Sequence, residues 1–330
     1  MNPAAEAGPL WAITSYFNPV GYRRRRENYR VFHRQLAVPL VTVELSFSGR
    51  FELTPADAEI LVQIQGRDVM WQKERLLNVG VEALPSSCTQ VAILDCDVVF
   101  LRPDWPQAIS RKLEQFPLAQ PFSTVYYIPR VVSWNDPQAL ACEYTRPSVA
   151  ALIEAGGVGR AVMGQFAGRR PGVRATGHAI AARRELLQEH GLYDANIIGS
   201  GDASLMAAAL GLFDAALEYQ ALNEAQRAYY LAWARPFSRE VRGQIGCARG
   251  DLIHLWHGEM GDRGTLARHR SLAAFGFDPQ VDIALEPTGC WRWNSDKPAM
   301  HQFVRDYFAT RYEDGRQPAS GRAALLPAAA

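Results

Sequence analysis

The segment Val91-Ala-Ile-Leu-Asp95-Cys-Asp97-Val-Val-Phe100 constrains the fold of this chain more than any other stretch. Val91 to Leu94 are consecutive apolar residues and read as a strand covered on both faces, the habit of parallel sheets flanked by helices. A buried parallel strand that ends in two carboxylates presents them at its C-terminal edge, where open α/β sheets bind ligands. The earlier pattern agrees. Leu10 to Thr14 and Leu40 to Phe47 are short, apolar and partly β-branched, and Tyr22 to Leu36 between them reads as a basic helix, which gives a βαβ opening. A further helix is expected over Val69 to Leu84, helical patterns return at Ala181 to Glu189 and Ala203 to Leu210, and Leu252 to Trp256 reads as a strand. Pro, Gly and Arg break the pattern from Pro121 to Arg174, where loops and short helices that shape a substrate site are expected. The Ala-, Pro- and Gly-rich end, Gly315 to Ala330, reads as a disordered tail.

Composition removes several classes. With 35 basic and 34 acidic residues the net charge is +1, which gives no broad electrostatic footprint for nucleic acid or anionic lipid. The 5 cysteines are an odd, scattered set without a CxxC pair, which argues against a disulfide framework and a zinc ribbon and suits a reducing compartment. No run approaches the ~18 apolar residues that span a bilayer, and Met1 to Pro9 does not read as a signal peptide, so a cytoplasmic protein is expected.

Four motifs carry chemistry. Asp95 and Asp97 offer hard oxygen donors that suit Mg²⁺ or Mn²⁺ shared with a diphosphate, although a bare DxD is as readily a pair of solvated loop residues. The same string resembles the start of a haloacid-dehalogenase-type phosphatase, in which the first Asp is the nucleophile. That reading needs a downstream lysine and a later acidic pair, yet no Lys lies between Lys112 and Lys297, and Gly201 to Met206 holds no acid besides Asp202. On a helix, Trp71, Arg75 and Asn78 share one face, while Lys73 points between Leu76 and Leu77 and there needs an anion, either a phosphate or an Asp. Gly199-Ser200-Gly201-Asp202 makes a tight turn that presents Asp202 to a cleft or caps a helix. On a regular strand His254 and His257 face opposite ways, so both can hold one metal only if the strand ends between them.

Taken in order, Thr14-Ser-Tyr-Phe-Asn18, Leu76-Leu-Asn78-Val-Gly80, Asp95-Cys-Asp97, Gly199-Ser-Gly201-Asp202 and His254-Leu-Trp-His257 resemble nucleotide-sugar glycosyltransferases of the GT-A fold. Within these they are similar to the β-1,4-galactosyltransferase and polypeptide N-acetylgalactosaminyltransferase type. The resemblance implies one α/β domain over residues 1–314 with a central mixed, mostly parallel sheet. Residues of about 10–122 would form a Rossmann-like nucleotide-binding half and 123–314 an acceptor-side half, ahead of the tail 315–330.

It also implies a UDP-sugar donor whose phosphates are bridged by Mn²⁺ or Mg²⁺. Asp97 would ligate the metal, Asp95 would reach the metal or the donor ribose and sugar, His257 matches the family's metal-binding His, and His254 stands where galactosyltransferases have a Met ligand. Thr14, Ser15, Tyr16 and Glu44 would contact the nucleoside. Lys73 takes the place of a phosphate-contacting Arg, and Trp71 and Asn78 would complete the donor side. Ser200 and Gly201 would face the acceptor, and Asp202 would be the general base of an inverting transfer. Gly201 departs from the pattern, which has an acceptor-holding Glu there. The acceptor itself stays open among a glycan, a lipid precursor, a protein side chain and a hydroxylated DNA base, and a non-catalytic sugar-nucleotide or glycan-binding module on the same fold is the remaining class. Arg23 to Arg26 would suit a polyanion but spread around a helix as solvated surface charges do.

Overall fold

The computed structural model describes residues 9–142, 144–157 and 174–316. Four strands, β1 (Leu10–Phe17), β2 (Leu40–Ser46), β3 (Ile60–Gln65) and β4 (Gln90–Leu94), pair in parallel. After them come β5 (Val98–Phe100), β6 (Leu118–Gln120), β7 (Thr124–Tyr127), β8 (Thr145–Pro147), β9 (Ala179–Arg183), β10 (Ile245–Cys247) and β11 (Asp251–His254). The central sheet has seven strands in the order β10-β6-β9-β4-β1-β2-β3, with β9 antiparallel to both neighbours. A second sheet, β5-β11-β7-β8, stands beside it, and β12 (Ile283–Leu285) pairs with β13 (Trp291–Trp293). This is the mixed, mostly parallel α/β sheet that the resemblance implies.

The burial of each strand explains its composition. Every residue of β2 is buried, as is all of β1 except Ser15, because helices cover both faces of the sheet. Among the described residues the helices of six or more residues are α1 (Arg23–Gln35), α2 (Lys73–Ala83), α3 (Trp105–Gln115), α4 (Val149–Glu154), α5 (Arg184–His190), α6 (Gly201–Ala209), α7 (Phe213–Tyr219), α8 (Glu224–Val241), α9 (Thr265–Ala273) and α10 (Pro298–Ala309). The arginines of α1 mostly face outward while Asn28, Tyr29 and Phe32 are buried, and the Tyr29 hydroxyl bonds Thr42 Oγ1 at 2.8 Å and the Asp57 carbonyl at 2.7 Å. The first backbone N–H groups of α1 donate to the Asp314 carboxylate (Arg24 N to Oδ1, 2.7 Å), an anion at a helix N-terminus that ties the end of the described chain to its beginning.

Two elements differ from the pattern. Ala179–Arg183 is a strand and only Arg184–His190 is helical, since the small residues of β9 insert between β4 and β6. A short apolar run does not by itself tell a buried strand from a helix. Likewise α2 starts at Lys73 and not at Val69. The Gln72 amide is bonded in both directions to the backbone of Trp291 (3.0 and 2.6 Å), which holds the preceding residues against β13. Between Pro121 and Arg174 the described residues hold β7, β8 and α4 as well as loops, while 143 and 158–173 lie outside them. The tail expected to be disordered lies outside from residue 317 onward. None of the five cysteines forms a disulfide, and among the described residues no helix is long and apolar enough to cross a membrane.

Candidate functional site

Strand order reverses between β1 and β4, the position at which an open parallel sheet leaves a crevice beyond its strand ends. A cleft of about 600 Å³ opens there. The turn after β4 forms its floor and is clamped from both sides: Asp95 N donates to the His178 carbonyl (2.8 Å) and Leu255 N to the Asp97 carbonyl (2.8 Å).

On one side of this turn Lys73, at the first position of α2, reaches Asp95 Oδ1 at 2.6 Å and Asp202 Oδ1 at 2.9 Å. Burial works to lower the lysine's pKa, but Asp202 and then Asp95 outweigh it and hold the ammonium well above its ordinary value. Asp95 goes the other way: desolvation pushes its carboxyl up to about 6 despite the lysine. His178 Nδ1 lies 3.7 Å from Asp95 Oδ2 and its Nε2 is 2.7 Å from the Tyr127 hydroxyl; burial pulls this imidazole down to about 4, so it is neutral at pH 7.

On the other side are Asp97, His254 and His257. Strand β11 ends at His254, so the chain turns between the two histidines and both Nε2 atoms come together at 3.1 Å. Asp97 Oδ2 is 3.0 Å from His257 Nε2, Asp97 Oδ1 is 3.9 Å from His254 Nε2, and one ligand atom from each residue lies within 4.8 Å of the others. Burial works to raise the Asp97 pKa, yet the His257 imidazole and its hydrogen bond outweigh it and hold the carboxylate well below its usual range. Asp97 Oδ1 is nonetheless a buried oxygen with no hydrogen-bond partner among the described residues. Two imidazoles and a carboxylate with an orphaned oxygen fit a divalent transition-metal cation better than Mg²⁺, which prefers an all-oxygen set. His257 Nδ1 faces Glu313 Oε1 at 3.7 Å, the carboxylate–imidazole arrangement that orients a metal-binding histidine. Arg263 Nη2 lies 2.8 Å from His257 Nε2 and so shares this corner of the cleft.

Glu313 arrives from the far end of the chain. After α10 the segment from Arg311 to Asp314 passes over the His257-Gly258 turn, so closely that a Cβ at Gly258 would lie 2.4 Å from the Arg311 carbonyl. With φ at +87° as well, only glycine fits there. Glu313 accepts from Arg311 Nε at 2.6 Å and lies 3.6 Å from Arg25 Nε, so one buried carboxylate serves two guanidinium groups and one imidazole.

Of the residues expected from the sequence, Thr14, Ser15, Trp71, Lys73, Asp95, Asp97, Ser200, Asp202, His254 and His257 all line this cleft. Four lie elsewhere. Tyr16 donates to Glu52 Oε2 (2.6 Å), and Glu44 accepts from Glu52 N (2.6 Å) and Gln63 Nε2 (2.9 Å), so both brace the segment around Glu52. Asn78 bonds the Leu192 backbone in both directions and Asp194, on the side of α2 that packs toward α5. Gly201 is covered, because a Cβ there would lie 2.1 Å from Glu74 Oε1. Trp71 precedes the helix and stacks on Phe308 with ring centroids 6.1 Å apart, under the Arg311 guanidinium at 5.2 Å. The periodicity argument places neither His178 nor Glu313 at the site. Each reaches it only through long-range packing, and the one local sign is the positive φ (71°) of His178.

No family model and no curated protein matches the sequence. Among solved structures the chain is similar to M. tuberculosis glucosyl-3-phosphoglycerate synthase, with 14% identity, 88% of this chain and 89% of that chain covered, and a TM-score of 0.39. A complex of that enzyme with Mn²⁺, UDP and phosphoglyceric acid is 14% identical over 85% and 82% of the two chains, with a TM-score of 0.38. Another with Mn²⁺, UDP-glucose and phosphoglyceric acid is 13% identical over 88% and 87%, with a TM-score of 0.40. None of these three is named as a galactosyltransferase or N-acetylgalactosaminyltransferase. Likeness this distant leaves the site to be judged on its own geometry.

Proposed function

We propose that this protein is a metal-dependent glycosyltransferase of the GT-A type that moves a sugar from a UDP-sugar to an acceptor hydroxyl with inversion. The observation that carries the reading is the meeting, in one cleft at the switch point of the sheet, of the Asp97-His254-His257 donor set with the Lys73-Asp95-Asp202 network. A divalent cation bound by Asp97, His254 and His257 would neutralise the diphosphate as it leaves.

The chain's own groups do the rest. Thr14, Ser15 and Trp71 are placed to receive the nucleoside end of the donor. Lys73 holds Asp95 and Asp202 at one spacing, so neither carboxylate has to reorganise during the reaction. Asp202 takes the proton of the acceptor hydroxyl while the acceptor oxygen bonds the anomeric carbon and the opposite bond, from that carbon to the diphosphate oxygen, breaks. His178 fixes the turn at Asp95 through its carbonyl, which accepts from Asp95 N, while its buried, neutral imidazole adds no charge beside the carboxylate.

Calorimetric titration with UDP in Mn²⁺ and in excess chelator, followed by a screen for slow hydrolysis of UDP-sugars without acceptor, tests this. Mn²⁺-dependent UDP binding and release of free sugar are expected. Equal UDP affinity with and without metal would remove the metal assignment. Orthophosphate release from phosphomonoesters without turnover of any sugar nucleotide would replace the transferase with a phosphohydrolase.

A further inference from the structure

The metal corner and the turn that carries Asp202 are joined by one unbroken run of side-chain contacts. It starts at His257 Nδ1, which faces Glu313 Oε1 at 3.7 Å, and Arg311 Nε donates to that same oxygen at 2.6 Å. Arg311 Nη1 also donates to the Tyr307 hydroxyl at 3.0 Å. Arg268 Nη1 donates to that hydroxyl from the other side, and Arg268 Nη2 donates to Ser200 Oγ at 2.8 Å. Ser200 is the residue before α6, whose second residue is Asp202. Tyr307, from the last turn of α10, is therefore the middle of the run, and it lines the cleft itself.

Each part of the run is held firmly. Tyr307 is buried, and burial works to raise its pKa, yet Arg311 and then Arg268 outweigh it and hold the phenol below its ordinary value, as befits an oxygen that accepts from two guanidinium groups. At the far end Ser200 has a φ of +78°, a left-handed conformation that is costly for a residue with a Cβ and persists only where its surroundings over-determine it. Arg268 supplies that hold together with His269, whose Nε2 is 2.9 Å from Ser200 Oγ. The strained turn before Asp202 is thus fastened to α9, and α9 is fastened through Tyr307 to the carboxylate behind His257.

We propose that Tyr307 is a positioning residue that links the metal corner to the turn carrying Asp202, so that the binding of a cation by Asp97, His254 and His257 and the placement of the base depend on one another. This rests on the glycosyltransferase reading and adds to it a residue that acts through Arg311 and Arg268. A contiguous hydrogen-bonded network of this kind can carry free energy between two sites. Linkage is reciprocal, so a change at Ser200 that alters metal affinity means that metal binding acts equally on Ser200.

The test is a double-mutant cycle on the full chain with Mn²⁺ alone as the probe, its affinity read by electron paramagnetic resonance. Ser200→Ala, which cuts the run at its far end, should weaken Mn²⁺ about two- to fivefold, and Tyr307→Phe, which removes the shared oxygen, about three- to tenfold. The double variant should be no weaker than Tyr307→Phe alone, because the first cut leaves nothing for the second to interrupt. Ser200→Ala also loses its contact with His269, and the cycle cancels that loss. Tyr312→Phe, an exposed phenol near the same bend, should match the wild type. A phenol that only packs would change stability and leave the cycle additive. Additive losses in the double variant, or unchanged Mn²⁺ affinity in Tyr307→Phe, would overturn the proposal while the glycosyltransferase reading stands. Where Tyr307→Phe does not fold, Arg268→Gln takes its place in the cycle with the same expectation. If the wild type binds no Mn²⁺, the metal reading fails and the proposal falls with it.

Discussion

Asp95 and Asp97 are separated by a single residue and live in opposite surroundings. Asp95 points to an internal cation, Lys73, shares it with Asp202, and is pushed up to about 6 by burial. Asp97 points to His257 and His254 and, although burial opposes it, is held well below the usual carboxylate range. The first carboxylate carries its counter-ion with it. The second has two imidazoles for company and an oxygen with no hydrogen-bond partner among the described residues, so it is the one that gains from an external cation. A continuous extended strand would send residues two apart to the same side; the turn between β4 and β5, clamped by the His178 carbonyl and the Leu255 N–H, breaks that alternation, and the two halves of the DxD motif thereby acquire different work.

The largest effect is expected on the Asp95 side. Lys73→Met leaves two carboxylates facing each other without a cation and should cost about 3–5 kcal/mol in chemical denaturation; a loss below about 1 kcal/mol, the range of a surface pair, would show the network to be solvated. Next, Asp202→Asn keeps the shape and hydrogen-bonding reach of Asp202 but cannot take a proton. Turnover should drop on the order of 10² to 10⁴ while UDP affinity changes far less, whereas near-normal turnover would leave Asp202 as a helix cap.

The comparison itself is tested by Asp97→Asn against Asp95→Asn in Mn²⁺ titrations followed by electron paramagnetic resonance. Asp97→Asn should weaken Mn²⁺ by about a hundredfold and Glu313→Gln, acting through His257, by about ten- to a hundredfold. Asp95→Asn should do much less, and equal losses for the two aspartates would end the division of labour drawn here.

The smallest effect concerns Glu74, whose carboxyl fills the space above Gly201 and is raised by burial to about 8, with Lys73, Asp202 and Asp95 facing it. A raised carboxyl favours folding below its unfolded pKa and loses that advantage as pH climbs through the folded value. Wild-type stability should therefore fall, relative to Glu74→Gln, between about pH 4.5 and 8. Parallel stability curves for the two proteins over that range would show Glu74 to be ionised in place.

Much of the cleft floor is legible in the chain itself. Four apolar residues before Asp95 set a buried strand, the strand sets an edge, and the edge sets where two carboxylates must lie. Helical spacing alone shows that Lys73 needs an anion, and the strand rule states the condition on His254 and His257, which the end of β11 at His254 meets. These are local statements, and periodicity carries local information. It could not place Asn78 or Gly201, whose neighbours Asp194 and Glu74 come from other parts of the chain.

What the sequence determined by itself was the βαβ opening, the buried strand that ends at Asp95 and the chemical types delivered to the sheet edge, because backbone pairing and burial repeat with fixed periods. What only the tertiary structure decided was the company each charge keeps. β9 enters antiparallel between β4 and β6 and brings His178 to Asp95, and the segment after α10 folds back over Gly258 and brings Glu313 to His257. Such encounters join residues tens of positions apart and depend on how layers pack, for which no short spacing in the chain is a sign. In a buried cleft that company sets the protonation state and ligand appetite of each group, since few water molecules remain to screen one charge from the next.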